Sequence, residues 1–125
     1  MITGMLNDNF ILAADSYKVG HINHLPKGTR KTHTSMVPRK HFVDFDNEIV
    51  IDEVVVLGPQ VVAAILQATV ITNEMIDEAE IEITEQGYDF PRAEWEYLRD
   101  LGYLPLEVRA LPEGTVVKPG LPVMT

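Results

Sequence analysis

The chain carries a dense polar cluster near its start, Asp15-Ser16-Tyr17-Lys18, which is followed by His21 and His24. Asp15 and Ser16 are both favourable N-cap residues, so they predict a helix from about Ser16 to Asn23. Free backbone N–H groups at the start of a helix favour an anion, and Tyr17 could stack on a flat ring. The alternative is an ordinary capped helix with an amphipathic surface, and spacing alone favours that alternative.

The two histidines of this helix are a second candidate site. His21 and His24 are three residues apart, and Tyr17 and Gly20 would share their helical face. A histidine pair at this spacing can ligate a metal, but the sequence offers no obvious third ligand. Two exposed helical histidines are therefore the preferred interpretation, and no metal ligand is assigned.

The second polar feature is a local basic concentration in an otherwise acidic chain, formed by Arg30, Lys31, Arg39, Lys40 and His41. Such side chains often contact phosphates, whereas the plainer interpretation is a solvated strand and loop. The sequence contains no glycine-rich phosphate loop, no persuasive Ser/His/Asp order and no carboxylate pair that indicates catalysis. No catalytic residue is predicted in this chain.

Composition restricts the classes of function. The chain has 125 residues, of which 46% are hydrophobic, and a formal net charge of −9. Non-specific nucleic-acid binding requires clustered Lys and Arg, so the acidic balance argues against nucleic acid and anionic membranes as partners. The absence of cysteine excludes disulfides and thiol catalysis and is consistent with a cytoplasmic protein. No apolar run approaches the roughly 20 residues of a membrane span, and the start does not resemble a signal peptide.

Hydrophobic periodicity and turn residues predict the elements that position these clusters. A short apolar run, Phe10–Ala14, is expected to be buried. Strands are predicted at Arg30–Val37, Glu48–Leu57, residues 106–111 and Thr115–Lys118, with a polar connection over Lys40–Asn47. Helices are predicted at Gln60–Thr69, which should be well buried, from a cap at Thr72 or Asn73 to Gly87, and from Pro91 to a C-cap at Gly102.

These elements place strands around three or four helices without strict βαβ alternation. That order predicts an α+β fold with a small mixed sheet rather than a doubly wound sheet. The last residues, Val123-Met124-Thr125, read as a further strand. A chain that ends in mid-strand is expected to be cut from something longer.

Two stretches of the sequence resemble one family. Phe10-Ile11-Leu12-Ala13-Ala14-Asp15-Ser16-Tyr17-Lys18-Val19-Gly20-His21 is similar to the opening of nicotinamide phosphoribosyltransferases, where an apolar run leads into Asp-Ser-Tyr-Lys-Val-x-His. The stretch from Leu104 to Gly114 resembles the family segment Leu-Pro-[Ile/Leu]-x-[Ile/Val]-[Lys/Arg]-Ala-[Leu/Val]-Pro-Glu-Gly. Gly58-x-Gln60, Thr72 and Trp95 lie at matching places between them, so the resemblance covers about residues 9–125.

The resemblance implies that residues 1–125 are the N-terminal domain part of a type II phosphoribosyltransferase, without its catalytic barrel. Such enzymes form nicotinamide mononucleotide and pyrophosphate from nicotinamide and phosphoribosyl pyrophosphate, in NAD salvage. They are cytoplasmic head-to-tail dimers with active sites at the subunit interface. The implied partners are therefore the barrel portion, as a split subunit or a second protomer, and the two substrates. No cofactor is expected on this chain, and Mg²⁺ is expected with phosphoribosyl pyrophosphate in the full enzyme.

By the same resemblance, three residues would bind substrate. Tyr17 would stack on one face of the nicotinamide ring in the partner's site, and Asp15 would lie beside it and help to set the helix start. Arg39 matches the position that reaches the phosphates across the interface. The family often has aromatic residues where this chain has Ser35, Met36, Val56 and Leu57, and Pro38 before Arg39 is unusual.

Three hypotheses of function remain open at this point. The chain is an enzyme component that works only with a barrel partner, or a non-catalytic module or remnant that binds such a barrel. The third is a generic α+β ligand-binding domain, which the length and continuity of the resemblance argue against. A copy that is isolated from the barrel is expected to expose a large apolar patch.

Overall fold

The computed structural model describes residues 9–39, 42–43, 45–46 and 48–125. These residues form two compact units. Unit 1 contains the described residues up to Arg30 together with Gln67–Pro105, and unit 2 contains Lys31–Leu66 and Leu106–Thr125. Both α-helices and short antiparallel strand pairs are present, which confirms the predicted α+β class. None of the described helices is both long and apolar enough to cross a membrane.

The bounds of the described elements are as follows. The α-helices are α1 (Ser16–Val19), α2 (Pro59–Ala68), α3 (Asn73–Glu85) and α4 (Arg92–Leu101). The strands are β1 (Phe42–Val43), β2 (Ile49–Ile51), β3 (Val54–Val55) and β4 (Val116–Val117). Two 3₁₀ helices cover Phe10–Ala13 and Gly20–His24.

Helix α3 begins and ends as its sequence predicts. Of the two candidate caps, Thr72 is the N-cap, and its hydroxyl accepts a hydrogen bond from the Met75 N–H at 3.3 Å. Helix α4 also ends as predicted, since Gly102 adopts a left-handed conformation and its N–H donates to the Leu98 carbonyl at 3.1 Å. The start of α3 and the end of α4 therefore both have capping hydrogen bonds formed within a few residues of sequence.

The core of unit 1 forms around one face of α3. Ile76, Ala79 and Ile83 are fully buried, as the helical spacing of these apolar residues predicts. They cluster with the buried residues Ile11, Val19 and Ile71, and partly buried hydrophobic side chains surround the cluster. Ile11 precedes the polar cluster of α1 and Val19 follows it, so this core holds both sides of the candidate site. Ala13 and Ala14 are exposed, so the Phe10–Ala14 run is only partly buried.

The range predicted as a helix, Ser16 to Asn23, is helical in the structure, but the type of helix changes within it. Helix α1 ends at Val19, and a 3₁₀ helix continues over Gly20–His24. Gly20 also marks a close approach, because a Cβ at this position would lie 3.2 Å from the Asp89 carbonyl oxygen. The prediction of one continuous α-helix was therefore wrong at the glycine.

Unit 2 contains short antiparallel ladders. Strand β3 pairs with β4 through Val54↔Val117 and Val55↔Val116, and β1 pairs with β2 with an irregular register. The last segment of the chain bridges two others, since Met124 pairs with both Met36 and Ala110. Residues that the sequence assigned to separate strands thus meet around Met124.

Several strand predictions in unit 2 were wrong in detail. The strand expected at Arg30–Val37 is limited to the bridge at Met36, because residues 31–35 are all exposed and have no buried face to pair. The strand expected at Glu48–Leu57 is interrupted between β2 and β3 at Asp52 and Glu53. The connection expected at Lys40–Asn47 contains β1.

Helix α2 has nearly the predicted bounds but not the predicted burial. No residue of α2 is buried, although its sequence is mostly apolar. Exposed apolar side chains on this helix, Val61 among them, contradict the expectation of a well-buried helix. A hydrophobic helix must cover its surface with another element, and the described residues do not supply a full cover.

Candidate functional site

The predicted substrate-binding cluster begins with an ion pair at the start of α1. Asp15 occupies the N-cap position, but its side chain makes no capping hydrogen bond. Its Oδ2 instead lies 2.7 Å from the Nζ of Lys18. Helix α1 has four residues, so few peptide dipoles align behind Asp15 to attract an anion. The geometry therefore favours a local ion pair here over an anion held by the helix start.

The ion pair changes the proton affinity of both groups. The hydrogen bond from Lys18 lowers the pKa of the Asp15 carboxyl, and the lysine charge and a hydrogen bond with Tyr17 act in the same direction. The hydrogen bond with Asp15 is also the main cause that raises the pKa of Lys18. Both groups are exposed and are charged at neutral pH, so the pair places two opposite charges beside Tyr17.

Tyr17 presents half of its side chain to solvent, with a relative exposure of 50%. Its ring centroid lies 5.7 Å from that of His21, and the two planes are inclined at 58°. The Nζ of Lys18 lies 5.6 Å from the same centroid. Tilted aromatic pairs and cation–π contacts at these separations are weakly favourable. They restrain the tyrosine ring while part of it stays accessible to a ligand.

Asn9 is the N-cap of the 3₁₀ helix Phe10–Ala13, which precedes this cluster in the chain, and sequence reasoning missed it. The residue is 1% exposed. Its amide nitrogen donates to the Met75 carbonyl at 2.8 Å and to Glu78 Oε2 at 2.9 Å, and its Oδ1 accepts from the Ile11 N–H at 3.0 Å. Asn9 therefore ties the start of the Phe10–Ala13 turn to α3. An asparagine directly before an apolar run is an N-cap signal that could have identified it.

A shallow groove of about 420 Å³ lies on unit 1 between Ile22 and residues of α4, namely Ala93, Glu94, Tyr97 and Leu98. Its lining is mainly apolar and includes one carboxylate. None of the three predicted substrate-binding residues lines it. The groove is therefore a separate feature of this unit.

Arg39, the third predicted site residue, lies in unit 2 and is exposed. The carbonyl oxygen of the preceding residue, Pro38, accepts a hydrogen bond from the Gly120 N–H at 2.7 Å. Within the part of the chain that the structure describes, the Arg39 guanidinium has no ion-pair partner. The structure thus brings Asp15 and Tyr17 together in unit 1 and places Arg39 in unit 2.

Among the other basic and histidine candidates, those that the structure describes lie on the surface. Arg30 and Lys31 are exposed, and the Nζ of Lys31 lies 3.6 Å from Glu107 Oε2. Lys40 and His41 lie outside the described residues. His21 and His24 are exposed, as expected. Across residues 9–39, 42–43, 45–46 and 48–125, no three potential metal ligands are grouped.

A comparison with protein families identifies the family of this chain. The family model "Nicotinamide phosphoribosyltransferase, N-terminal domain" matches residues 9–108. The chain belongs to this family. The matched range contains Asp15, Tyr17 and Arg39, so all three predicted substrate-binding residues lie in the family's N-terminal domain.

Two curated relatives support the assignment. A nicotinamide phosphoribosyltransferase of Xanthomonas campestris is 31% identical over 112 residues, which cover 88% of this chain and 22% of the relative. A nicotinamide phosphoribosyltransferase of Acinetobacter baylyi is 33% identical over 135 aligned positions, which cover 94% of this chain and 25% of the relative. The chain thus spans about a quarter of the length of these relatives.

Proposed function

We propose that the chain supplies the N-terminal part of a nicotinamide phosphoribosyltransferase of NAD salvage. This enzyme, a pentosyltransferase, forms nicotinamide mononucleotide and pyrophosphate from nicotinamide and phosphoribosyl pyrophosphate. The observation that carries the proposal is the half-exposed and restrained ring of Tyr17, which lies within the stretch that matches the family.

Tyr17 has the properties that a nicotinamide platform needs. Nicotinamide is a flat and neutral heteroaromatic, and such a ring stacks well on an aromatic face. The contacts with His21 and Lys18 limit the motion of the tyrosine before the ligand arrives, which reduces the entropy lost on binding. Asp15 has a positioning role in this proposal, because its ion pair with Lys18 sets the position of the lysine beside the ring.

Arg39 is the proposed contact for the phosphates. The reaction breaks the bond between the ribose C1 carbon and pyrophosphate and forms one to the pyridine nitrogen. A transition state with oxocarbenium character mainly needs positioning and stabilisation of the charge on the leaving pyrophosphate. An exposed guanidinium can meet phosphate oxygens in a bidentate, charge-assisted geometry, and Arg39 has no competing ion pair among the described residues.

The proposal includes a partner. The chain would act in the cytoplasm with the barrel portion of the same enzyme, in an oligomer, and would be inactive alone. Mg²⁺ would arrive with phosphoribosyl pyrophosphate rather than on a site of this chain. Exposed apolar side chains on the paired strands β3 and β4, such as Val55 and Val116, are consistent with a surface that a partner covers.

The same apolar surface favours a second candidate function. The chain would then be a non-catalytic module that binds a phosphoribosyltransferase barrel through this surface. The two candidates share a partner and differ in whether the assembly forms product.

An assay of nicotinamide mononucleotide formation separates the two candidates. Nicotinamide, phosphoribosyl pyrophosphate and Mg²⁺ are supplied to the chain alone and to the chain mixed with a barrel polypeptide. That polypeptide is the part of the Acinetobacter baylyi relative that the chain does not match. Product only in the mixture supports the enzyme, whereas a stable complex without product contradicts it and leaves the binding module.

The role of Tyr17 is tested with matched variants in the same mixture. Tyr17→Ala should abolish most of the activity, and Tyr17→Phe should retain part of it because the aromatic face is kept. Tyr103→Ala is the control, since Tyr103 is 55% exposed and also lies in unit 1. Equal losses in Tyr17→Ala and Tyr103→Ala would contradict the stacking role.

A further inference from the structure

A single hydrogen bond from a distant part of the chain fixes the peptide unit between Pro38 and Arg39. The Gly120 N–H donates to the Pro38 carbonyl oxygen at 2.7 Å. A peptide unit is planar, so this carbonyl lies in one plane with the nitrogen and Cα of Arg39. The orientation of that plane sets the position of the Arg39 Cα, which is the point from which the Arg39 side chain leaves the backbone.

The residues before this peptide unit are held as well. The Met36 N–H donates to the Met124 carbonyl at 2.8 Å, and the Val123 N–H donates to the Met36 carbonyl at 2.9 Å. Pro38 has no N–H, and its ring restricts φ. The backbone is therefore fixed up to the residue before Arg39, whereas the Arg39 side chain is exposed.

Gly120 can make its hydrogen bond because of its backbone conformation. Its φ is 94°, in the left-handed region that residues with a Cβ rarely adopt. A Cβ at Gly120 would meet no described atom within 4 Å, so lack of space does not explain the glycine. The requirement is the turn after Pro119, which aims the Gly120 N–H at the Pro38 carbonyl.

We infer that Gly120 is a positioning residue that aims Arg39 at the phosphate groups of the phosphoribosyl substrate. The inference rests on the proposed function, because it needs Arg39 to contact phosphate. It adds a residue outside the stretch that matches the family domain, which ends at residue 108.

Steady-state kinetics of the assembled chain and barrel polypeptide test this assignment. Arg39→Ala should raise KM for phosphoribosyl pyrophosphate roughly tenfold or more, since a charge-assisted contact is lost. Gly120→Ala should raise the same KM by about three- to fivefold, because the guanidinium is displaced rather than removed. In both variants KM for nicotinamide should stay near that of the wild type.

Two further variants separate positioning from general backbone strain. Gly114→Ala is the matched control, because Gly114 also lies in unit 2, has φ 82° and donates its N–H at 2.9 Å, to the Val56 carbonyl. It should leave KM for phosphoribosyl pyrophosphate unchanged. Gly120→Asn should restore part of the affinity for phosphoribosyl pyrophosphate, since asparagine tolerates positive φ better than alanine. If Gly120→Ala does not fold, Gly120→Asn is compared with Gly114→Ala instead.

The outcomes distinguish this inference from the proposed function. A raised KM for phosphoribosyl pyrophosphate in Arg39→Ala and in the Gly120 variants, but not in Gly114→Ala, supports the assignment. A raised KM in Arg39→Ala alone, or an equal rise in Gly114→Ala, overturns the role of Gly120 and leaves the enzyme assignment intact. If the wild-type assembly forms no product, the proposed function fails and the role of Gly120 fails with it.

Discussion

The Nζ of Lys18 lies 2.7 Å from Oδ2 of Asp15, across the first turn of the helix that carries Tyr17. Both side chains are exposed, so water and salt screen the attraction, and the pair contributes little to stability. Its consequence is geometric, because it places a positive charge 5.6 Å from the Tyr17 ring centroid. The contact orders the candidate site without the need for burial.

The ion pair predicts a specific pH dependence. The pKa of Asp15 is lowered by its hydrogen bond to Lys18, so the contribution of Asp15 to stability is complete above the ordinary aspartate pKa. It is lost as the pH falls through the lowered value. Lys18 acts at alkaline pH, because its pKa is raised. The contribution of Lys18 to stability is lost as the pH rises through that raised pKa. An NMR titration of the Asp15 side-chain carboxyl carbon should therefore show a midpoint below that of an ordinary aspartate.

The variant Lys18→Met tests whether Lys18 is the cause of the lowered pKa of Asp15. Removal of the ammonium should return the pKa of Asp15 toward its ordinary value, and added salt should have a similar but smaller effect on the wild type. Lys27→Met is the control, since Lys27 is exposed and has no ion pair among the described residues. An unchanged Asp15 titration in Lys18→Met would show that the pair does not form in solution.

The core of unit 1 predicts a large difference between two isoleucines of α3. Ile76 is 0% exposed and Ile81 is 61% exposed. Ile76→Ala should lower the free energy of unfolding by about 3 kcal/mol, because it removes buried methyl groups and leaves a cavity. Ile81→Ala should change it by less than about 0.5 kcal/mol, as is usual for surface substitutions. Chemical denaturation followed by circular dichroism measures both, and similar values for the two variants would place the core elsewhere.

Local signals explain which parts of the fold were predictable. Helices α3 and α4 have their own caps, Thr72 and Gly102, and Ile76, Ala79 and Ile83 repeat at helical spacing. Such information is contained within a few residues. The helix start that carries Asp15 and Tyr17 was predicted in the same way, whereas the substrate-binding roles of these residues rest on the resemblance to the family and stay predictions.

The remaining features depend on partners that are distant in sequence. Among the described residues, the segment before Arg39 forms a β-bridge at Met36, and the partner, Met124, is 88 positions away. The burial of α2 was overestimated because an apolar sequence does not show whether another element covers the helix. The Gly120–Pro38 hydrogen bond has no local sequence signal beyond a Pro-Gly turn.

Arg92 connects α3 to α4 and predicts a salt-dependent contribution to stability. Its guanidinium forms ion pairs with Asp77 and Glu80 of α3 and with Glu96 of α4. Hydrogen bonds to these carboxylates raise the pKa of Arg92, so the side chain is charged at every accessible pH. Arg92→Met should lower the melting temperature of the chain, and less strongly than Ile76→Ala because the network is exposed to solvent.

Salt separates the charge effect of Arg92 from packing. The difference in melting temperature between wild type and Arg92→Met should shrink in 1 M sodium chloride, where the Debye length is about 3 Å. Arg30→Met is the control, since Arg30 has no ion pair among the described residues. A difference that is independent of salt would assign the effect to the aliphatic part of Arg92.

Asn9 predicts a large contribution of one buried side chain to the stability of unit 1. Its buried amide donates to the Met75 carbonyl and to Glu78, and its oxygen accepts from the Ile11 N–H. Asn9→Ala should lower the free energy of unfolding by about 2 kcal/mol, because buried polar groups lose their partners. Asn23→Ala, at an exposed position of the second 3₁₀ helix, should be near neutral.

Asn9→Asp distinguishes the donors of this side chain from its acceptor. The carboxylate can still accept from Ile11, but it cannot donate to the Met75 carbonyl, and it places a negative charge beside Glu78. Its destabilisation at pH 7 should therefore equal or exceed that of Asn9→Ala and should decrease as the pH is lowered, since protonation removes the repulsion and supplies a donor. Denaturation measured at pH 7 and pH 4 tests this, and a stability of Asn9→Asp equal to the wild type at pH 7 would mean that the two donor bonds do not hold the turn on α3.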